Sequence, residues 1–426
     1  MIFMIIHQKI TSLRAWETLD SRGNPTVSVY MRLDGGACGS ASVPSGASTG
    51  DMEAYEKRDG DRSRYFGKGT KEVCQSIETE IFPAIRGCLA GDQRKLDERL
   101  CALDSSKQKK RFGANALLAI SLAAARAAAQ SYGLPLYRYL GGIYGSRHFP
   151  TPMMNVLNGG CHASNNIDIQ EFMIVPVGAC SFAEAMRIGT EIYHTLKDVL
   201  KRGGLSVAIG DEGGFAPYLN DDTDAIEFLL DAIRKAGYDT DTVKISLDAA
   251  ASEWYHDGIY HLPKRKTQMD AKELTAYFEN ILDRYPILAL EDPLGENDTD
   301  GWQYLTQKLG KKTMLVGDDL FVTNTSRLAF GIENTLANAI LIKPNQIGTL
   351  TQTLDAIHLA AKNGYHTIIS HRSGETCDPF ISDLALAVGA DYLKAGAPAR
   401  GERVAKYNRL LKIEQIVAAD SGSHTL

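Results

Sequence analysis

The feature that most constrains this chain is a rhythm in its second half, where short apolar runs end again and again on a charged or hydrogen-bonding residue. Lys244-Ile245-Ser246-Leu247 ends at Asp248, Ile287–Leu290 at Glu291, Met314–Gly317 at Asp318 and Ala339–Ile342 at Lys343. His366–Ser370 then ends at His371-Arg372-Ser373, and Ala390–Leu393 at Lys394. From Glu291 onward the polar ends are spaced 27, 25, 28 and 23 residues apart. Each interval holds one buried strand and one helix, the repeat of a (β/α)8 barrel, in which chemistry collects at the carboxyl ends of the strands. Three carboxylates, a lysine, a His-Arg-Ser group and a second lysine are thereby expected at one mouth. Lys343 is the candidate general base, because an apolar wall that lowers its pKa leaves a neutral amine able to accept a proton.

A barrel of this kind takes about 250 residues, so 426 leave room for a second domain. The first third reads differently. Val27, Val29, Met31 and Leu33 alternate with Ser28, Tyr30 and Arg32, and Asp34-Gly35-Gly36 turns the chain into Ala37–Val43, an antiparallel meander. Pro44–Gly50 is a small-residue stretch without a P-loop lysine, either an ordinary loop or a lid over a substrate. Helices are predicted over Lys71–Phe82 and over the alanine-rich Ala114–Ser131, which Gly133 and Pro135 end. Gly141-Gly142 marks a boundary between an α+β capping domain at 1–142 and a TIM-like barrel at 143–426 that opens with Met153–Leu157. Further helices are predicted over Ala183–Arg202 and Asp224–Ala236.

Composition excludes several classes. A net charge of −6 argues against a nucleic-acid surface, and Lys264-Arg265-Lys266 is expected to decorate a solvated loop. No apolar run reaches the length of a membrane span, and Met1–Ile6 is expected to lead into a first strand rather than to act as a secretion signal. Seven cysteines without a CxxC pair suit a reducing compartment, and a cytoplasmic protein is expected.

Asp248, Glu291 and Asp318 form an all-oxygen ligand set of the hard type that suits magnesium. A hard cation beside a neutral lysine points to proton abstraction next to a carboxylate, where the developing negative charge needs stabilisation. Gln170-Glu171 and Gly210-Asp211-Glu212-Gly213-Gly214 supply a second acid–base group, with a carboxyl held protonated so that it can expel a hydroxyl. Arg372 offers a planar fork and Ser373 a hydroxyl, matched to a phosphate or a second carboxylate.

Asp20–Thr26, Val43–Gly50, Gln170–Ile174, Gly210–Pro217, Gly317–Asn324, Lys343–Gly348 and Ser370–Thr376 together resemble the enolase family, in order and over nearly the whole chain. The resemblance implies a small α+β domain followed by an irregular ββαα(βα)6 barrel, and dehydration of 2-phosphoglycerate. It implies two magnesium ions per site, the first held by Asp248, Glu291 and Asp318 and the second, arriving with substrate, helped by Ser48. Lys343 becomes the base and Glu212, supported by Glu171, the acid. His162 and Gln170 lie on the closing side, His371 lines the pocket, Arg372 and Ser373 grip the phosphate, and Lys394 engages the substrate carboxylate. The partner implied is a small phosphorylated carboxylic acid, in a homodimer or an octamer of dimers. Pro344, Cys377 and Ala395 depart from the family pattern and Cys161 adjoins His162. They leave as the alternative an enolase-like paralogue acting on a related phosphonate or carboxylic acid, similar to carboxyphosphonoenolpyruvate synthase. Against a third reading, a non-catalytic protein that keeps the fold, stands the intact set of charged groups, which are costly to bury without metal and substrate.

Overall fold

The computed structural model describes residues 7–46, 50, 52–145, 148–163 and 165–420; Met1–Ile6 lie outside them. The chain opens with three antiparallel strands, β1 (Ile10–Leu19), β2 (Pro25–Leu33) and β3 (Cys38–Ser42). Val27, Val29, Met31 and Leu33 are buried, as their alternation predicts. Against this sheet lies the Ala114–Ser131 helix, nearly all of it buried. Its alanines let the backbones meet closely: a Cβ on Gly39 of β3 would stand 2.1 Å from the Ala123 carbonyl oxygen and 2.4 Å from the Ala127 nitrogen. The predicted Lys71–Phe82 helix is α-helical over Lys71–Ser76 and then widens into a π turn at Ile77–Ile81. A short turn follows with Pro83, which has no N–H to give to an α-type bond.

Eight strands then close a barrel: β4 (Thr151–Asn158), β5 (Glu171–Val175), β6 (Lys244–Asp248), β10 (Ile287–Glu291), β11 (Met314–Gly317), β12 (Ala339–Ile342), β13 (His366–Ser370) and β14 (Tyr392–Lys394). Between β6 and β10 a small sheet is inserted, β7 (Tyr255–His256), β8 (Ile259–Leu262) and β9 (Thr267–Met269), which explains why Asp248 and Glu291 lie further apart in sequence than later neighbours. The Phe182–Arg202 and Asp222–Lys235 helices separate β5 from β6, giving ββαα(βα)6. The second of these begins two residues before the predicted Asp224, because Asp221 caps it by accepting from the Thr223 and Asp224 amides.

Strand β5 runs antiparallel to both neighbours, whereas the other barrel pairs outside the β4–β5–β6 group are parallel. Glu171 therefore stands at the start of its strand yet at the same mouth as Asp248, its register partner. Period two does the rest. Met173, Ala289, Val316, Leu341, Ile368 and Tyr392 pack together inside the barrel. Two residues from each, on the same face, lie Glu171, Glu291, Asp318, Lys343, Ser370 and Lys394.

The turn between β8 and β9 is not merely a solvated loop. Its Lys264 and Arg265 amides donate to the buried Asp168 carboxylate at 2.8 and 2.9 Å, and Lys264 Nζ donates to the Asn165 carbonyl. The basic cluster fastens the segment that leads into β5. Among the described residues no helix is long and apolar enough to cross a membrane.

Candidate active site at the barrel mouth

The mouth is a buried charge cluster. Lys394 Nζ lies 2.8 Å from Glu291 Oε2 and 3.1 Å from both Asp248 Oδ2 and Glu171 Oε2. Burial opposes its charge, but the three carboxylates outweigh burial and hold the ammonium well above the usual lysine range. Burial pushes the Glu291 carboxyl well up, and Asp248 adds to the push.

Lys343, at the end of β12, is paired with Asp318. The sequence expectation of a depressed lysine is reversed in this state: burial favours the neutral amine, but the Asp318 charge dominates and raises the pKa. Asp318 also accepts from Gln346 Nε2 at 2.9 Å. Beside it Asp292 turns back through a positive φ of 40° and accepts from the Asp318 and Asp319 amides at 3.0 and 2.7 Å. The neighbouring carboxylates are so crowded that burial and Asp318 together push Asp319 to about 8.

On the other side, Glu212 accepts from Asn155 Nδ2 at 3.0 Å. His371 Nε2 stands 3.5 Å from Glu212 Oε2, while its Nδ1 is 2.7 Å from Arg403 Nη1. A guanidinium can only donate, so Nδ1 accepts and the neutral ring carries its proton on Nε2, facing Glu212. Burial keeps that ring neutral, its pKa pushed down to about 3. His162 is the cationic partner, raised to about 9 by Glu212 and Glu171 against the effect of burial. Burial works to raise Glu212, but the imidazoles and Arg403 hold it well below the usual range. Glu171 is raised by burial and by the Glu212 charge. The proton expected on Glu212 is thus favoured on Glu171 here, because the cations cluster around Glu212.

Of the residues expected at the site, Asp248, Glu291, Asp318, Glu171, Glu212, Gln170, His371, Arg372, Ser373 and Lys394 are buried at this mouth, with Lys343 and His162 half-buried. Ser48 lies outside the described residues. Oxygen donors crowded until their protonation is forced up are what a hard dication relieves, and the donor chemistry fits magnesium. The grouping differs in detail from the expected trio. Among the described residues, ligand atoms all within 4.8 Å of one another are found in Asp292, Asp318 and Asp319, and in His162, Glu171 and Glu212. Asp248 and Glu291 instead share Lys394.

Sequence reasoning missed Asp292, Asp319, Asn155, Glu53, Gln346 and Arg403 as parts of this network. Asp292 and Asp319 sit directly after strand-end acids and were within reach of the same rule. Glu53 and Arg403 come from outside the strand rhythm, on the amino-terminal domain and the last helix. A cavity of about 440 Å³ adjoins the mouth between the domains, lined by Gly46, Gly50, Glu53, Arg58 and Asn345 among others.

Two family models match the chain: "Enolase, N-terminal domain" over residues 10–140 and "Enolase, C-terminal TIM barrel domain" over residues 146–424. A curated relative, the enolase of Acidothermus cellulolyticus, is 55% identical over 407 residues, spanning 95% of this chain and 94% of the relative.

Proposed function

The chain belongs to the enolase family, and from that premise we propose that it is a phosphopyruvate hydratase, interconverting 2-phospho-D-glycerate with phosphoenolpyruvate and water. One observation carries the assignment of roles. In the barrel order, β12 and β5 are four strands apart in a ring of eight, so Lys343 and Glu171 face each other across the mouth. A base on one side and a carboxyl pair on the other suit removal of a proton and a hydroxyl from opposite faces of one substrate.

In this reading the amine of Lys343 takes the proton alpha to the substrate carboxylate. Glu212, drawing on the proton held with Glu171, protonates the departing hydroxyl, which leaves as water as the carbon–carbon double bond forms. Arg372 and Ser373 hold the phosphate, Lys394 orients the carboxylate, His371 lines the pocket, and His162 and Gln170 cover the acid side. Asp248, Glu291 and Asp318, with Ser48 for a second ion, are assigned as magnesium ligands; when bound, the two ions offset the negative charge that develops on the substrate carboxylate. Lys343 is paired with Asp318 and held charged by it; a cation held by that carboxylate would weaken the pair and leave the amine able to accept a proton.

None of the departures replaces a residue assigned to this machinery. Ala395 is fully buried, Cys377 is exposed, and Pro344 opens the short turn after Lys343. We further assign a capping role to residues 1–142, the chemistry to 143–426, and a homo-oligomeric, cytoplasmic enzyme of glycolysis. Seven cysteines all left as free thiols support the reducing compartment. The test is phosphoenolpyruvate formation from 2-phosphoglycerate, expected to vanish in excess chelator and return with magnesium. Full activity in chelator refutes the metal-dependent reading.

A further inference from the structure

Arg372 is reached from the amino-terminal domain by a carboxylate that none of the roles above uses. Glu53 is buried and meets the guanidinium with both oxygens, Oε2 at 2.9 Å from Nη1 and Oε1 at 3.2 Å from Nη2. Such a fork-to-fork pair fixes the plane of the guanidinium as well as its charge. Burial alone favours a lower arginine pKa, and the Glu53 charge is the leading opposing influence.

The same Glu53 Oε1 accepts from Gln346 Nε2 at 3.2 Å, and that nitrogen also lies 2.9 Å from Asp318 Oδ1. The other end of Gln346 accepts from Thr323 Oγ1 at 2.8 Å, whose oxygen in turn accepts from the Lys343 amide at 2.9 Å. Glu53 is tied locally too. Its amide donates to the Gly50 carbonyl at 3.0 Å and its Oε1 accepts from the Gly50 amide at 3.3 Å. Gly50 is pressed onto the barrel, since a Cβ there would come 3.2 Å from Asp319 Oδ1. One carboxylate therefore links the anion-binding arginine, a proposed metal ligand, the strand end of the proposed base and the turn at Gly50.

We infer that Glu53 is a positioning residue, which holds the Arg372 fork in the orientation that receives the substrate's phosphate. This rests on the proposed reaction for the identity of the anion. An ordinary interdomain salt bridge in this place would stabilise the fold without changing how the site binds phosphate. A positioning role shows itself in affinity: a side chain already ordered by its partner loses less freedom on binding.

The experiment compares wild type with Glu53→Gln, which keeps shape and removes the charge. KM for 2-phosphoglycerate is expected to rise roughly tenfold while kcat stays within about threefold, because uniform binding rather than transition-state chemistry is lost. Calorimetric affinity for inorganic phosphate, with magnesium present and no turnover, is expected to weaken in parallel. In an Arg372→Lys background the same substitution is expected to add little, since its effect runs through the arginine fork. Should the glutamine variant fold poorly, Glu53→Asp, which keeps the charge but shortens the reach, carries the same KM and phosphate measurements. Phosphate affinity and KM unchanged or improved in a folded variant overturn the inference. Wild type failing to turn over 2-phosphoglycerate overturns the proposed reaction instead.

Discussion

Lys394 stands 2.8 Å from Glu291 and 3.1 Å from Asp248, so the ammonium of the last barrel strand is shared by two acids from strands across the mouth. A protein cation thus supplies the counter-charge that the proposed magnesium would supply. Lys394→Ala is expected to cost about 3 kcal/mol of stability in chelator, since removing one partner leaves buried charge uncompensated. Magnesium is expected to restore much of it, giving the variant a larger magnesium-induced rise in melting temperature than wild type. Scanning calorimetry of both proteins with chelator and with magnesium checks this; an equal rise in both shows that Lys394 does not stand in for the ion.

The two groups proposed to transfer protons are separable by mutation. Lys343→Ala is expected to lose about a thousandfold in turnover and, with it, exchange of the alpha proton with deuterated water. Glu212→Gln is expected to lose a similar factor in turnover yet keep measurable exchange, because in the proposed reaction proton removal at Lys343 precedes loss of the hydroxyl. Proton NMR of 2-phosphoglycerate in deuterium oxide reads both. Exchange in the lysine variant but not in the glutamate variant reverses the assignment.

Arg126 of the alanine-rich helix donates to the half-buried Asp378 at 2.6 Å, joining the two domains. Burial raises the Asp378 carboxyl, but Arg126 outweighs it, and the folded value falls below the ordinary 3.8. A lowered carboxyl stabilises the fold above that ordinary value, and the contribution is lost as pH falls through the folded one. Arg126→Met is expected to cost about 3 kcal/mol at pH 7 and to lose less on acidification than wild type, since its stranded carboxyl gains from protonation. Urea midpoints at pH 7 and pH 4 provide the comparison.

Gly39→Ala tests the approach of β3 to the alanine helix. Its Cβ has no room against the helix backbone, and a loss of about 3 kcal/mol is expected, concentrated in the amino-terminal domain. Hydrogen exchange showing equal protection of β1–β3 in variant and wild type contradicts that.

Much of the site was legible because a barrel strand has a period of two and ends at the mouth. Asp248, Glu291, Asp318, Lys343 and Lys394 all obey that rule. Glu171 obeys its mirror image: β5 is reversed, so its acid comes before the apolar run, and the residues alone gave no direction for that strand. What the spacing could not show is partnership. The rise of the Lys343 pKa depends on Asp318 turning toward it, and the low value of Glu212 on His162, His371 and Arg403, which come from three separate segments. Glu53 was hidden for a different reason, since it reaches the barrel from the other domain and no local pattern links positions 53 and 372.

The reversed strand also bears on the order in which the barrel assembles. β4 and β5 are antiparallel neighbours joined by a short connection, so they pair at little cost in loop entropy, whereas each parallel pair waits for a helical crossover. The seam that shuts the ring, Tyr392–Lys394 of β14 against Thr151–Met153 of β4, joins the two ends of the barrel sequence. Among the strand pairings of the barrel it closes the longest loop and is expected to form late. Lys394 rides on that closing strand. Until it arrives, Glu171, Asp248 and Glu291 lack its counter-charge, so magnesium is expected to speed refolding of the barrel, which refolding rates measured with chelator and with magnesium check.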